Sequence, residues 1–215
     1  MTLSTDPLVS AVADIVADPS YPCLGAHSVF NQDRATLRSF DELGTPAAAD
    51  SLRPQLGQFA ATTDVGAGFA SFVAVFAGPV VHDEPHFEEL LWRQLQELHD
   101  GDRTGWAPGV SQDPADPHFA FSVGGTSYFV VGLHPKASRL ARRAPSPVLV
   151  FNLHQQFENL RRSQAYPRMR DTIRKRDIRL QGSVNPMAAD HGGVSEARQY
   201  AGRQVDARWR APFRP

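Results

Sequence analysis

The chain has 215 residues, of which 41% are hydrophobic and 21% are charged, which predicts one globular domain over 1–215 with a sizeable core. No apolar run reaches the roughly 20 residues of a membrane-spanning helix, and no secretory signal opens the chain. We therefore expect a soluble cytoplasmic protein without membrane partners. Because the pI is near 6.7 and no nucleic-acid-binding module is recognisable, we expect no nucleic-acid partner either.

The first predicted helix begins at Asp6 and Pro7, a capping residue followed by a first-turn proline, and Pro19 ends it. Its apolar stripe consists of Leu8, Val12, Ile15 and Val16. A turn rich in proline and glycine follows over 21–26 and carries Cys23, the only cysteine. A lone cysteine excludes an internal disulfide and a multi-thiolate zinc site, although it can still bind iron or act as a nucleophile.

The next segment has one weak strand pattern over 28–30 and one weak helix pattern over 50–55. The continuous apolar run over 69–76 predicts a buried strand. A helix is predicted from Pro85, because apolar residues recur at helical spacing and two glutamates occupy the first turn. The inward positions of that helix are Phe87, Leu90, Leu91, Gln94, Leu95 and Leu98.

A loop rich in glycine, proline and aspartate spans 100–117, and its Trp106 either covers a pocket or fastens the loop. Two apolar runs over 119–123 and 128–133 flank a Gly-Gly-Thr turn and predict a β-hairpin. A third strand is predicted over 148–151, after a short basic segment.

Two helices are predicted near the C-terminal end, over 155–162 and 167–180. In the second, the residues expected to face inward are Met169, Ile173 and Leu180. The aromatic tail over 209–213 should pack back onto the body. Irregularly interspersed strands and helices with a hairpin predict an α+β fold, with a largely antiparallel or mixed central sheet flanked by helices.

Charge is distributed unevenly along the chain. Residues 1–126 hold 17 acidic and 5 basic residues, whereas residues 127–215 hold 6 acidic and 17 basic ones, giving net charges of −12 and +11. The two parts can neutralise each other across one domain, or the C-terminal part can contain an anion site. Only Lys136 and Lys175 are lysines, and arginine is the better bidentate partner for carboxylate or phosphate.

Polar residues that could bind a ligand lie mainly at strand ends and in loops of the C-terminal half. They are His134, Arg139, Arg142, Arg143, Asn152, His154, Asn185, Asp190 and His191. Each can equally be a strand cap, a turn former or part of a solvated face. The sequence contains no glycine-rich phosphate loop, nucleophile elbow or His-Glu-x-x-His motif, so these residues alone predict no reaction.

Five consecutive blocks nevertheless resemble the YqcI/YcgG family: Val131–Arg143, Leu149–Glu158, Ile173–Asp177, Leu180–Met187 and Ser195–Tyr200. The likeness extends upstream through 91–95 and 21–23, so it covers most of the chain. The resemblance implies a b-type haem, O₂, and N-hydroxylation of an amino-acid or amine nitrogen. A guanidine such as that of arginine is favoured, because similar proteins hydroxylate arginine in D-cycloserine biosynthesis and an enduracididine-type substrate in guanitoxin biosynthesis.

A haem site needs an axial ligand, apolar walls and cations for two propionates. The candidates for the iron ligand are Cys23, His134, His154 and His191, with His134 ranked first and Cys23 second. Imidazole is the commoner ligand, whereas a thiolate would favour O–O cleavage. His154 and His191 are expected beside the haem as catalytic or distal residues, together with Ser183 and Asn185, which could hydrogen-bond the bound oxygen.

The remaining expectations follow from the pairing of guanidinium groups with carboxylates. The expected cofactor contacts, for the propionates in particular, are Ser138, Arg139, Arg142, Arg143 and Asn152. The carboxylates expected to bind a substrate guanidinium are Glu158, Asp177 and Glu196. Surface ion pairs and turn caps are the structural alternatives for these residues.

The partners implied by the resemblance are a small amino acid or amine, O₂ and an external electron donor. The oligomeric state is open, with a homodimer as one possibility. Two alternatives to the enzyme remain: a haem-binding or small-anion-binding protein without turnover, and a cofactor-free protein whose arginines bind an anionic metabolite or a partner.

Overall fold

The structure, a computed structural model, describes residues 6–163, 166–187 and 193–215. The strands are β1 Ala35–Glu42, β2 Ser71–Gly78, β3 Phe121–Val123, β4 Thr126–Leu133 and β5 Val148–Leu153. The helices are α1 Pro7–Ala17, α2 Leu24–Asn31, α3 Pro46–Thr62, α4 Glu84–Asp100, α5 His154–Arg162, α6 Tyr166–Gln181 and α7 Ala197–Tyr200. Short 3-10 turns cover Val65–Ala67 and Leu140–Arg142. Within the described residues, no helix is both long and apolar enough to cross a membrane.

The five strands form one sheet in the order β1-β2-β5-β4-β3. Only β1 and β2 run parallel, and the other three pairs are antiparallel. In the central register, Val150 of β5 lies opposite Val73 of β2 on one side and opposite Val131 of β4 on the other. The sheet is therefore mixed, and the predicted α+β fold is confirmed.

The first face of the sheet is closed by α3 and α4. Tyr128 and Val130 of β4 and Phe151 of β5 belong to this core, together with Trp92 of α4, and each is at most 1% exposed. Gly132 permits the close approach of α4, because a Cβ there would lie 2.6 Å from Cε1 of Phe87. Hydrophobic burial on this face anchors the fold.

The second face is only partly covered. Helix α1 places Val9 and Val12 in a cluster with buried sheet residues, namely Val73, Val75, Leu133 and Val148. Because side chains alternate along a strand, four neighbouring residues point to this same face: Phe129, Val131, Val150 and Asn152. All four are half-buried: Val131 and Val150 pack at the edge of the α1 cluster, and Phe129 packs against the rings of Phe157 and Tyr200. We call this group the open floor.

Helix α6 lies on the same side of the sheet as the open floor. Nη2 of Arg176 donates hydrogen bonds of 2.7 Å to the carbonyls of Pro19 and Tyr21, between α1 and α2. A Cβ at Gly25 of α2 would lie 3.5 Å from Cε of Met169. Asp177 is the buried residue of this helix. Met169, Ile173 and Leu180, which were predicted to face inward, are half-buried.

The element predictions differ from the structure mainly in the N-terminal half. The predicted strand over 28–30 is wrong, since these residues belong to α2, where Val29 is 2% exposed. The short helix over 50–55 is the middle of α3, which Thr45 caps at its N-terminus. The tail packs back as predicted, because Phe213 is 6% exposed, and Trp106 fastens its loop by packing near Phe213 and Phe119.

Candidate functional site

The first group of candidate residues surrounds Arg139. Its Nη2 donates to Oδ2 of Asp177 at 2.5 Å and to the carbonyl of Ser183 at 2.8 Å, and Nη1 donates to Oγ of Ser183 at 2.9 Å. Asp177 also accepts a hydrogen bond of 2.8 Å from the backbone N–H of Asn185. We call these four residues the Arg139 cluster, and it ties the basic segment after β4 to the end of α6.

The other two arginines of this segment bind backbone carbonyls. Arg142 donates from Nη1 to Gly132 at 3.0 Å and from Nη2 to Gln199 at 3.1 Å. Burial lowers the pKa of Arg142, although nearby acidic groups oppose this effect. Arg143 donates from Nε to the carbonyl of Ala137 at 2.8 Å. Both guanidinium groups therefore have protein partners.

Ser138 and Asn152 are likewise held by neighbouring elements. The backbone N–H and hydroxyl of Ser138 donate to Oε1 of Glu84, at 2.9 and 2.8 Å. Oδ1 of Asn152 accepts from the hydroxyl of Ser71 at 2.6 Å, and Nδ2 donates to the carbonyl of Phe129 at 3.2 Å. Ser138 thus joins its loop to α4, whereas Asn152 joins β5 to both neighbouring strands.

His134 is sealed into the first face of the sheet. Its side chain is stacked on Phe87 of α4, with ring centroids 4.2 Å apart, and the residue is 1% exposed. Neither ring nitrogen has a hydrogen-bond partner. Burial lowers the pKa of His134 to about 4, although Glu84 nearby opposes the shift. The imidazole is therefore neutral at physiological pH.

A second group surrounds His154 at the start of α5. Nε2 of His154 lies 3.6 Å from Oε2 of Glu196, and Nδ1 lies 4.0 Å from Oε1 of Glu158. The hydroxyl of Tyr200 donates to Oε1 of Glu196 at 2.6 Å. Burial and the charge of Glu196 raise the pKa of Tyr200, so this phenol stays protonated. We call these four residues the His154 cluster.

The His154 cluster adjoins the open floor. The ring of Phe129 lies 5.4 Å from that of Phe157, next to Glu158, and 5.8 Å from that of Tyr200. Arg161 also forms an ion pair with Glu158. Two carboxylates at the edge of an apolar surface can bind a guanidinium, since each can accept two hydrogen bonds from it.

Cys23 caps α2 on the second side of the sheet. Its Sγ accepts a hydrogen bond of 3.4 Å from the backbone N–H of Ala26, and the residue is half-buried. Helix α2 packs against α1, which covers part of the second face, whereas His134 packs against α4 on the first face. The two highest-ranked candidate iron ligands therefore belong to elements on different sides of the sheet. His191 and Asp190 lie outside the described residues.

The candidate residues are thus brought together in two clusters, with His134 and Cys23 separate from both. Sequence reasoning missed Tyr200 and Glu84, although Tyr200 ends the last family-like block. Among the residues that the structure describes, no three histidine, cysteine, aspartate or glutamate side chains could share a metal ion. A surface cavity of about 640 Å³ lies elsewhere, between the loop at 112–117 and the tail, and none of the candidate residues lines it.

Comparison of the sequence with known proteins identifies its family. The model of the YqcI/YcgG family matches residues 12–214. The chain is 26% identical over 190 residues to the uncharacterized protein YcgG of Bacillus subtilis (strain 168), covering 84% of this chain and 75% of YcgG. It is also 26% identical over 162 residues to the uncharacterized protein YqcI of the same strain, covering 73% of this chain and 64% of YqcI. No solved structure matches. The chain therefore belongs to the YqcI/YcgG family.

Proposed function

We propose that this protein is a haem-dependent monooxygenase that N-hydroxylates an amino acid or amine, with a guanidine such as that of arginine as the favoured substrate. The observation that carries the proposal is the half-covered apolar side of the sheet, with the His154 cluster at its edge. The open floor would accommodate a flat apolar group, and the two carboxylates would hold a cationic substrate beside it.

The open floor and α6 are two half-covered surfaces on the same side of the sheet. Folded helices normally bury an apolar stripe, but Met169 and Ile173 of α6 remain half-buried. Val131 and Val150 on the sheet are half-buried as well. A porphyrin would complete this layer by burying apolar surface from both elements.

Cys23 is the candidate iron ligand that the geometry favours. It lies on the same side of the sheet as the open floor, and its sulfur already accepts a backbone N–H, which suits an electron-rich ligand. His134 would have to leave its stack on Phe87 before it could reach a metal on that side. When bound, the haem would supply O₂ activation, which no side chain can perform.

The carboxylates of the His154 cluster would bind the substrate. In the proposal, the substrate guanidinium takes the place of Arg161 on Glu158, also donates to Glu196, and directs one nitrogen toward the open floor. Tyr200 holds Glu196 in position through its 2.6 Å hydrogen bond, and His154 lies between the two carboxylates, where it can accept a proton. Arg139, whose donors bind Asp177 and Ser183, would fix the loops rather than contact propionates.

Spectroscopy and product analysis test the proposal. Protein purified after expression with a haem precursor should show a Soret band, and arginine or a related guanidine with O₂ and reductant should give an N-hydroxylated product. Glu196→Gln should raise KM for the guanidine at least tenfold and leave the Soret band unchanged, because it removes a charge from the substrate site only. A protein without a Soret band would contradict the proposal. A Soret band without N-hydroxylated product would contradict the enzymatic part of the proposal and indicate a haem-binding protein without turnover.

A further inference from the structure

Exposed apolar side chains lie at the end of α6 and in the two segments hydrogen-bonded to it. Among the large hydrophobic residues that the structure finds exposed are Leu140 at 37%, Ile178 at 45% and Val184 at 37%. The Arg139 cluster joins the three chain segments that carry these residues. Each apolar residue is next to a member of that cluster in the sequence. Leu140 follows Arg139, Ile178 follows Asp177, and Val184 lies between Ser183 and Asn185.

A second contact fixes this arrangement. The backbone N–H of Leu140 donates to Oε1 of Gln181 at 2.7 Å, and Nε2 of Gln181 donates to the carbonyl of Ser138 at 3.2 Å. The 3-10 turn, the end of α6 and the following loop are therefore locked together by side-chain hydrogen bonds. Since the polar neighbours point into this network, the apolar side chains are left on the outside, in contact with water.

Lys175 and Arg179 lie beside Ile178, and Arg168 extends the same basic stripe toward the start of α6, while the exposed Asp171 pairs with Arg170. Arg168, Lys175 and Arg179 are exposed and lie at positions i, i+7 and i+11 of α6, which places them on one face of the helix. Thr172 occupies the remaining position of that stripe. Ile178 directly precedes Arg179 and follows Lys175 by three residues, so it lies beside the stripe. An apolar centre with a charged rim is the usual anatomy of a protein-binding surface.

We infer that Leu140, Ile178 and Val184, with the stripe of Arg168, Lys175 and Arg179, form the docking surface for an acidic one-electron carrier protein. We call these six residues the docking patch. This inference rests on the proposed function. Inserting one oxygen atom of O₂ into an N–H bond consumes two electrons and two protons and releases one water. Two docking events would supply the electrons, each oxidising the carrier by one electron.

The charges favour an acidic protein over other partners. Residues 127–215 carry 17 basic and 6 acidic residues, whereas the rest of the chain is acidic and would repel such a carrier from other surfaces. Helix α6 also lies on the side of the sheet that holds the open floor. A carrier docked there would therefore face the element that covers the proposed cofactor, which keeps the transfer path short.

Equilibrium binding to an acidic plant-type [2Fe–2S] ferredoxin tests this inference. The purified protein should bind it, and affinity should fall as NaCl rises from 20 to 200 mM. Lys175→Glu with Arg179→Glu should weaken binding at least tenfold, and Ile178→Ser should weaken it severalfold at every salt concentration. The matched control is Arg38→Glu with Arg103→Glu, two exposed arginines of the acidic half, which should bind as the wild type does. Thermal melting checks that every variant is folded.

Three results would overturn the inference: equal binding by the α6 variant and the wild type, equal losses in the variant and its control, or equal competition by a double-stranded DNA oligonucleotide. The last would mean that the patch binds any polyanion. The test separates the two proposals. Binding without a Soret band would contradict the oxygenase and with it the electron-carrier role, leaving only a surface that binds an acidic protein. Product formation with dithionite but no ferredoxin binding would contradict the docking patch alone.

Discussion

At the scale of single residues, His134 should make stability depend on pH. Its folded pKa of about 4 lies below the ordinary 6.5, so the unfolded chain binds more protons between these values. Above pH 6.5 the imidazole is neutral in both the folded and the unfolded chain, so its burial costs no proton. As pH drops from 6.5 toward 4, the unfolded chain binds a proton that the folded protein does not, and stability should fall. The shift predicts a loss of about 2 kcal/mol between pH 7 and pH 5.

Urea unfolding of the wild type and of His134→Phe at both pH values measures this effect. Phenylalanine retains the stack on Phe87 but has no titrating group. The His134→Phe variant should therefore lose about 2 kcal/mol less stability than the wild type between pH 7 and pH 5. The control is His118→Phe, because the imidazole of His118 is 76% exposed. Equal pH dependence in wild type and His134→Phe would show that the ring is not sealed in the folded protein.

Tyr200 should be more important for stability than an ordinary buried tyrosine. Its oxygen accepts from the backbone N–H of Phe121 at 3.1 Å and donates to Glu196, so Tyr200→Phe leaves two buried groups without this partner. We expect a loss of about 1 to 3 kcal/mol in the free energy of unfolding. Tyr21→Phe, which removes one hydrogen bond of 3.3 Å to Ala141, should cost less. Chemical denaturation compares the two variants, and a reversed order would contradict this account.

At the scale of elements, Gly132 controls how closely α4 approaches the sheet. Gly132→Ala would place Cβ 2.6 Å from Cε1 of Phe87 and 2.9 Å from Cδ1 of Leu91, so we expect a destabilisation of about 1 to 3 kcal/mol. Gly57 of α3 is the matched control, because a Cβ there would have no neighbour within 4 Å. Gly57→Ala should stabilise the helix by about 0.5 to 1 kcal/mol. Thermal unfolding should shift in opposite directions for the two variants.

Arg142 joins α7 to the part of β4 that has no hydrogen-bonded partner in β3. Arg142→Met removes its donors to Gly132 and Gln199 and leaves those carbonyls without this partner, which should cost about 2 to 4 kcal/mol. Amide hydrogen exchange should accelerate in α7 before the rest of the protein. Arg143→Met loses one contact at an exposed position and is the control. Uniform acceleration throughout the sheet would mean that α7 does not open separately.

At the scale of the whole molecule, the elements that could be predicted from the sequence were those with a strong local pattern of apolar and turn residues. Helix α4 and the β3–β4 hairpin were predicted because apolar spacing and turn residues act over a few positions. Strand β1 was not, since Arg38 and Asp41 are exposed on an edge strand and break the apolar pattern. The partners of Arg142 could not be predicted either, because they are backbone carbonyls and carry no residue-specific signal. The half-covered second face could not be predicted, because it depends on how α1, α2 and α6, which are far apart in the sequence, pack around the sheet.

The opposite net charges of the two halves should contribute little to stability. Of the ion pairs found among the described residues, Arg203 with Glu88 joins the two halves, at 2.6 Å, while most pairs lie within one half. Glu88 is 8% exposed, so salt screens this pair weakly, and the remaining long-range attraction falls off over about 10 Å at 0.1 M salt.

We therefore expect the free energy of unfolding to change by less than about 1 kcal/mol between 50 and 500 mM NaCl, a range over which exposed pairs are largely screened. Glu88→Gln should lower stability at both salt concentrations by a similar amount, because the loss is local. Denaturation by urea, which is uncharged, measures both effects without adding salt. A loss several times larger in the wild type at high salt would mean that attraction between the halves, rather than the common apolar core, holds the fold together.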